Sequence, residues 1–365
     1  MKDLTLGFIG LGLIGGSIAK SVKRVNPDVK IIAYNRTKSR LELAHSEGMV
    51  DEIADEIDEK FSACDYIFLC TPVEQNNTYL ETLKNIIKKD AIITDVGSVK
   101  TPIHEAIEKV GLERNFIGGH PMAGSEKTGY ENSNNHLFEN AYYVISTSPL
   151  SPMDKVEEYK AFAAEIGAIP IVLDHNDHDM VVAAISHMPH LIASSLVNVV
   201  KNSDNEEGTM KTIAAGGFKD ITRIASSSPE MWEQICTSNS KSISIMLDKF
   251  IKDMQKAKEY VDTKNGQAIN EMFASSREYR DSFPDKGGAL FKPSMIYCDV
   301  EDEAGVIARI ATLLARNDIS IKNIGIIHNR MFEEGVLLLE LYDDSDRDHA
   351  VSVLQTGGIT VIKRK

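Results

Sequence analysis

Leu4-Thr-Leu-Gly-Phe-Ile9, followed without a break by Gly10-Leu-Gly12-Leu-Ile-Gly15-Gly16-Ser17, reads as a buried strand, a glycine turn and the opening of a helix. Ile18, Ala19 and Val22 carry the helical period onward. Glycines spaced G-x-G-x-x-G between a strand and a helix form the turn that cradles a dinucleotide pyrophosphate. Gly10 makes the tight turn, Gly12 lets the backbone approach the phosphates, and Gly15 permits close contact between helix and strand. Leu13 and Ile14 lie at the helix N-terminus, where the pyrophosphate rests. A purely structural turn is the alternative reading.

Outward from this stretch the pattern alternates. Val29 to Tyr34 is a second strand, Tyr66 to Cys70 a third and Ala91 to Asp95 a fourth, with a helix from Tyr79 to Lys88 between the last two. Strand and helix in alternation predict a parallel, doubly wound sheet. Thr71, Pro72 and Ser98 fall just past strand carboxyl ends, the edge where such sheets bind ligands. Thr101-Pro102 reads as an N-cap and first helical residue, which leaves the Ser98 hydroxyl free or in a turn. After the second strand the fingerprint expects an acid for the ribose, yet Asn35-Arg36-Thr37 stands there. Arg36 could pair with a 2′-phosphate, so these residues lean toward NADP. Ala141 to Ile145 and Ile169 to Leu173 are two more strands, expected to complete the sheet.

Phe116-Ile-Gly-Gly-His120-Pro-Met-Ala-Gly-Ser125-Glu126 places a histidine by backbone chemistry. Gly118 and Gly119 permit a turn or a close approach, and Pro121 pushes His120 toward extended backbone, so the imidazole is expected on a loop at a strand end. An imidazole that titrates near neutrality suits proton transfer, though a solvated turn histidine fits the same residues. From Val181 to Val199 apolar residues follow helical spacing, interrupted at Ser186-His187-Met-Pro189-His190. His187 and His190 share a face of a kinked core helix, or form half of a metal site with Asp174-His-Asn-Asp-His-Asp179 upstream. No supporting ligand spacing accompanies them, so no metal is assigned. Lys219 and Arg223 sit one helical turn apart, as a carboxylate clamp or a solvated face. Trp232 opens a long amphipathic helix that runs to Tyr260 and suits a partner subunit. Residues 282–292 read as a linker, and Met295 to Lys363 as a ferredoxin-like βαββαβ unit.

The totals bound the function. With 365 residues the chain exceeds one ordinary core. Three domains are expected: residues 1–173 dinucleotide-binding, 174–285 helical and 293–365 ferredoxin-like. A net charge of −14 disfavours nucleic acid and anionic membrane, both of which demand basic patches. No apolar run approaches a membrane span and no signal-peptide pattern opens the chain, which leads to a cytoplasmic expectation. Cys64, Cys70, Cys236 and Cys298 lack pairing or ligand spacing, as reduced thiols do.

Collected in order, Gly10 to Ser17, Asp95-Val-Gly-Ser-Val-Lys100, Gly118 to Glu126, Ser186 to His190 and Gly217-Phe-Lys-Asp-Ile-Thr-Arg-Ile-Ala225 resemble the prephenate dehydrogenases that carry a C-terminal ACT domain, over nearly the whole length. The resemblance implies an NAD(P)+-dependent oxidative decarboxylation of prephenate to 4-hydroxyphenylpyruvate, on the way to tyrosine. By the same resemblance His120 is the general base and Ser98 orients it. Arg223 pairs with a substrate carboxylate, and Lys219, His187, His190, Ser125 and Trp232 complete the substrate site. The family favours NAD+, against the lean of Asn35 and Arg36. It also implies a homodimer through the helical region, and tyrosine as an effector near Asp302, Gly305 and Asn323. Arogenate in place of prephenate is an alternative that no residue here decides. A β-hydroxyacid dehydrogenase is more remote, because it gives no reason for His120-Pro121 or the Lys219 and Arg223 pair. A non-catalytic sensor is more remote still.

Overall fold

The computed structural model describes residues 4–124, 127–283, 294–300, 303–327, 335–341 and 346–362. The chain divides into two compact units, Met1–Ser276 and Arg277–Lys365. In the first unit β1 (Thr5–Ile9), β2 (Lys30–Tyr34), β3 (Glu52–Ala54), β4 (Tyr66–Leu69) and β5 (Ile92–Asp95) form a parallel sheet in the order β3-β2-β1-β4-β5. The crossovers carry α1 (Leu13–Val25), α2 (Lys38–Ser46) and α3 (Val73–Ile86), and α4 (Thr101–Val110) follows β5. Two apolar clusters cover the two faces, one around Phe8, Ile18 and Phe68, the other around Ile9, Ile67 and Ile103. Alternate strand residues therefore bury on opposite sides, as a doubly wound sheet requires.

The later strands do not simply extend this sheet. β6 (Ile117–Pro121), β7 (Tyr142–Thr147) and β8 (Ile169–Leu173) form a separate three-stranded sheet, with α5 (Met153–Glu165) before β8. A single bridge, Ile93 to Phe116, ties it to β5. The ladder stops there because side chains take over its polar groups. Asp95 accepts from the Gly119 amide at 3.3 Å, and Lys100 Nζ donates to the Gly119 carbonyl at 2.8 Å.

The helical region follows: α6 (His175–Val182), a π-helical turn over Ala183–His187, α7 (Met188–Ser203), α8 (Thr209–Ile213), α9 (Gly216–Thr222), α10 (Pro229–Ser238), α11 (Ser240–Asp262) and α12 (Gly266–Asp281). The continuous pattern expected from Trp232 to Tyr260 is broken at Asn239. Its side chain leaves the helical surface to bond Asp179 O at 2.8 Å and His187 Nδ1 at 3.2 Å. By length and hydropathy His175–Ser203 could cross a bilayer, and only 22% of its most apolar window is buried. Val181, Ile185 and Val199 stand exposed on this stretch.

The second unit contains β9 (Ser294–Val300), α13 (Val306–Ala315), β10 (Ile321–Ile327), β11 (Gly335–Leu341), α14 (Arg347–Thr356) and β12 (Thr360–Ile362), the expected βαββαβ order. The sheet is antiparallel, ordered β10-β11-β9-β12, over a core of Ile296, Cys298, Ile310, Leu314, Leu337 and Leu354. Most of the expected linker lies outside the described residues.

Candidate active site

The glycine turn has the geometry its spacing demands. Gly10 adopts φ +94°, and a Cβ there would lie 2.6 Å from Thr71 Cγ2 and 2.9 Å from the Cys70 carbonyl carbon. A Cβ on Gly15 would meet Gly10 O at 2.7 Å, whereas Gly12 has open space beside it. Gly12 caps α1 without a side chain, and no acidic residue occupies the first helical turn. The helix N-terminus thus offers amide donors to an anion with no competing carboxylate, which fits a dinucleotide pyrophosphate. Leu13 and Ile14 are the first two residues of α1. Thr71 is held at the end of β4, its amide and hydroxyl both donating to Asn76 Oδ1, and Pro72 caps α3.

Asn35 is occupied by backbone. Its Oδ1 accepts from Leu11 N at 3.4 Å and its Nδ2 donates to Thr37 O at 3.0 Å. Arg36 beside it is exposed and has no ion pair among the described residues, while Lys38 pairs with Asp55 and Arg40 with Glu131.

His120 lies inside β6, opposite Val144, and not on the expected loop. Extended backbone ahead of Pro121 suits a strand as well as a loop, and pairing with β7 decides between them. Gly118 is there because β6 backs onto side chains: a Cβ would sit 2.3 Å from Ser146 Oγ. His120 Nδ1 is 2.8 Å from His178 Nε2, and His178 Nδ1 is 2.8 Å from Asp179 Oδ1. His178 is 0% exposed and Asp179 2%.

Asp179 also replaces an expected cap. Thr101 is the first residue of α4 and makes no cap bond; the Asp179 carboxylate accepts from the Lys100 and Thr101 amides at 2.7 and 2.8 Å. A helix start is thereby capped by a residue 78 positions later in the chain. Burial works to raise the Asp179 carboxyl, but hydrogen bonds from His178, Thr101 and the two amides hold it below its ordinary value. Burial drives the His120 imidazole well below its ordinary range, helped by His178, Lys100 and His187 and opposed by Asp179. His120 is therefore a neutral ring at physiological pH, the form that accepts a proton.

The remaining substrate-site residues fall into two groups. His187 is buried, held at about 4 by burial, and meets Trp232 edge-on at 5.9 Å between ring centroids. His190 Nδ1 donates to Ser186 O at 2.8 Å, and the ring stacks on Trp232 at 3.8 Å. The two histidines thus share a cluster around Trp232, whose buried indole N–H has no partner among the described residues. A small cavity beside it is lined by His190, Ser194, Ser227 and Trp232 among others. Lys219 and Arg223 are exposed and unpaired among the described residues, and they do not share a helix, since α9 ends at Thr222. No hydrogen bond joins either to His120. Ser98 is half-buried just past β5, with no partner among the described residues, and Ser125 lies outside them.

Family models of the nucleotide-binding and dimerization domains of prephenate dehydrogenase match residues 18–172 and 174–275. The chain belongs to the prephenate dehydrogenase family. A curated prephenate dehydrogenase of Bacillus subtilis is 37% identical over 97% of this chain and 96% of its own length. Among solved structures, Aquifex aeolicus prephenate dehydrogenase in complex with hydroxyphenyl propionate and NAD+ superposes with a TM-score of 0.71. It is 29% identical, covering 77% of this chain and 98% of its own. Synechocystis arogenate dehydrogenase gives 0.70 at 27% identity, covering 76% and 99%.

Sequence reasoning for a prephenate dehydrogenase missed His178, Asp179 and Asn239 as parts of this site. The cluster from Asp174 to Asp179 was visible but read for metal spacing. Among the described residues no group of three or more metal-ligating side chains comes together.

Proposed function

We propose that this chain is a prephenate dehydrogenase that converts prephenate to 4-hydroxyphenylpyruvate and carbon dioxide for tyrosine synthesis. One observation carries the reading: a half-buried, neutral His120, braced at Nδ1 by His178, in a chain that also presents a dinucleotide-type glycine turn. The ring 4-hydroxyl of the substrate donates to His120 and loses its proton there as the C4 carbonyl forms. A bound nicotinamide supplies the hydride acceptor. Ser98 orients hydroxyl and imidazole. Arg223 and Lys219, unpaired among the described residues, hold the substrate carboxylates, with His187, His190, Ser125 and Trp232 around the rest. Aromatisation of the ring drives loss of carbon dioxide, so no further acid is required.

Purified enzyme given prephenate or arogenate with either coenzyme, followed by coenzyme reduction, tests this. Prephenate-dependent reduction supports the reading, and turnover of neither substrate overturns it. Arogenate stands as the second reading, favoured by the likeness to the Synechocystis enzyme. For the coenzyme, Arg36 is free to meet a 2′-phosphate while Asn35 is spent on backbone, which favours NADP+ within NAD(P)+.

We read residues 1–173, 174–285 and 293–365 as nucleotide-binding, dimerisation and ACT domains. Exposed Val181, Ile185, Val199, Ile213 and Ile221 in the helical region suit a homodimer interface. Tyrosine is the proposed effector of the C-terminal unit. Beside its first helix a cavity of about 410 Å³ is lined by Asp299, Glu303, Arg309 and Thr360, groups that suit an amino acid's two charges. Gly305 precedes that helix at φ +94°, Asn323 lies exposed on β10, and Asp302 is outside the described residues. Tyrosine that altered neither activity nor thermal stability would remove the effector.

A further inference from the structure

Asp179 fixes the direction of a hydrogen-bond chain. Its carboxylate accepts from two backbone amides and from His178 Nδ1. An ionised carboxylate only accepts, so the proton between them belongs to His178 Nδ1. A neutral His178 then has a bare Nε2, which accepts at 2.8 Å from His120 Nδ1. With the Nδ1 proton committed, the lone pair of neutral His120 is on Nε2.

We infer that His178 and Asp179 are positioning residues that lock His120 in the Nδ1–H tautomer, leaving Nε2 as the only nitrogen able to take the substrate proton. The inference rests on the reading of His120 as the base. When the 4-hydroxyl proton reaches Nε2, His120 becomes an imidazolium whose Nδ1–H still donates to His178. The Asp179 carboxylate, two groups away, offsets the new charge, and the proton returns from Nε2 to the ring oxygen when loss of carbon dioxide turns the C4 carbonyl into the phenol. Every charged or titratable neighbour bears on that step: His178 and Asp179 from α6, Lys100 from the start of α4 and His187 from the π-helical turn. His178, Lys100 and His187 disfavour the imidazolium, and Asp179 favours it. The opposite arrangement, a His178 imidazolium donating to His120 Nδ1, would put the neutral proton of His120 on Nε2 and disable the base.

Two measurements test the lock. Nitrogen-15 spectra of histidine-labelled enzyme, with the His120 resonances assigned by loss in His120→Asn, distinguish the tautomers without any turnover. A protonated Nδ1 and bare Nε2 are expected, and the reverse pattern overturns the proposal. Steady-state kinetics of His178→Leu and His178→Gln give the second. Leucine removes the acceptor and should lower kcat by between about 10² and 10⁴, with KM nearly unchanged and the acid limb of the pH profile displaced. Glutamine restores an acceptor oxygen and should recover at least about tenfold of that loss, since it re-forms one hydrogen bond. Equal activity of both variants and wild type, or equal loss with wild-type pH profiles, refutes the lock. If His120→Asn abolishes turnover while the His178 variants do not alter it, the base stands and the lock falls. If wild type turns over neither prephenate nor arogenate, the functional reading falls, and the spectra decide the tautomer separately.

Discussion

Lys100→Met strikes the packing beneath His120. Lys100 and Asp95 are both fully buried and paired, with the ammonium also donating to Gly119 O at 2.8 Å. Methionine keeps most of the apolar stem and removes the charge. Asp95 retains hydrogen bonds from the Gly97 and Gly119 amides at 3.0 and 3.3 Å, but its carboxylate is left without a counterion. Stranding one member of a buried pair costs about 3–5 kcal/mol. The unpartnered Gly119 carbonyl adds about 1 kcal/mol or more. Such a loss approaches the whole stability of many domains, about 5–15 kcal/mol. Guanidinium unfolding at fixed protein concentration reads it, through the fluorescence of Trp232, the only tryptophan, and through far-ultraviolet circular dichroism. Asp95→Asn combined with Lys100→Met removes both charges while the amide oxygen keeps one of the two amide bonds, from Gly97 at the Oδ2 position or from Gly119 at the Oδ1 position. The double variant should recover about 2 kcal/mol relative to Lys100→Met alone, because no charge is stranded. A loss below about 1 kcal/mol for the single variant, or a double variant less stable than the single, refutes this account of the pair.

Acid should destabilise the fold through its buried histidines. Burial lowers His104 to about 3, His187 to about 4 and His120 well below its ordinary value of 6.5, so the unfolded chain binds more protons below pH 6.5 and stability falls as pH drops. Each contributes about 1.4 kcal/mol per pH unit inside its window; a urea midpoint that stays constant from pH 7 to pH 5 contradicts it. Gly10→Ala should cost about 1–2 kcal/mol for its left-handed backbone alone and weaken coenzyme binding, read by thermal shift and fluorescence titration. Arg36→Ser should reduce kcat/KM for NADP+ by about 10–100-fold, the worth of a hydrogen bond between charged groups, and leave NAD+ within about threefold. Equal effects on both coenzymes would remove Arg36 from the 2′-phosphate.

The alternation of β1, β2, β4 and β5 with α1, α3 and α4 was legible because each strand buries opposite faces and each helix repeats within its own turn, whereas the three-residue β3 and the polar α2 were not read. The glycine turn was legible for a related reason: Gly10, Gly12 and Gly15 answer to local backbone angles and to contacts within one strand, turn and helix. The βαββαβ order of the C-terminal unit came through the same local signals. His120 was found by its neighbours in sequence, but its strand was not, because pairing with Val144 depends on a segment some two dozen residues away.

Local periodicity thus determined the elements, their order and the presence of one conspicuous imidazole. Which groups surround that imidazole was decided only by packing. Asp179 reaches the start of α4, His178 reaches His120 across 58 residues, and Asn239 breaks a helix to reach both Asp179 and His187. A side chain's period reports the element it belongs to. Its partner across the core is set by how whole elements come together, and no spacing along the chain encodes that distance.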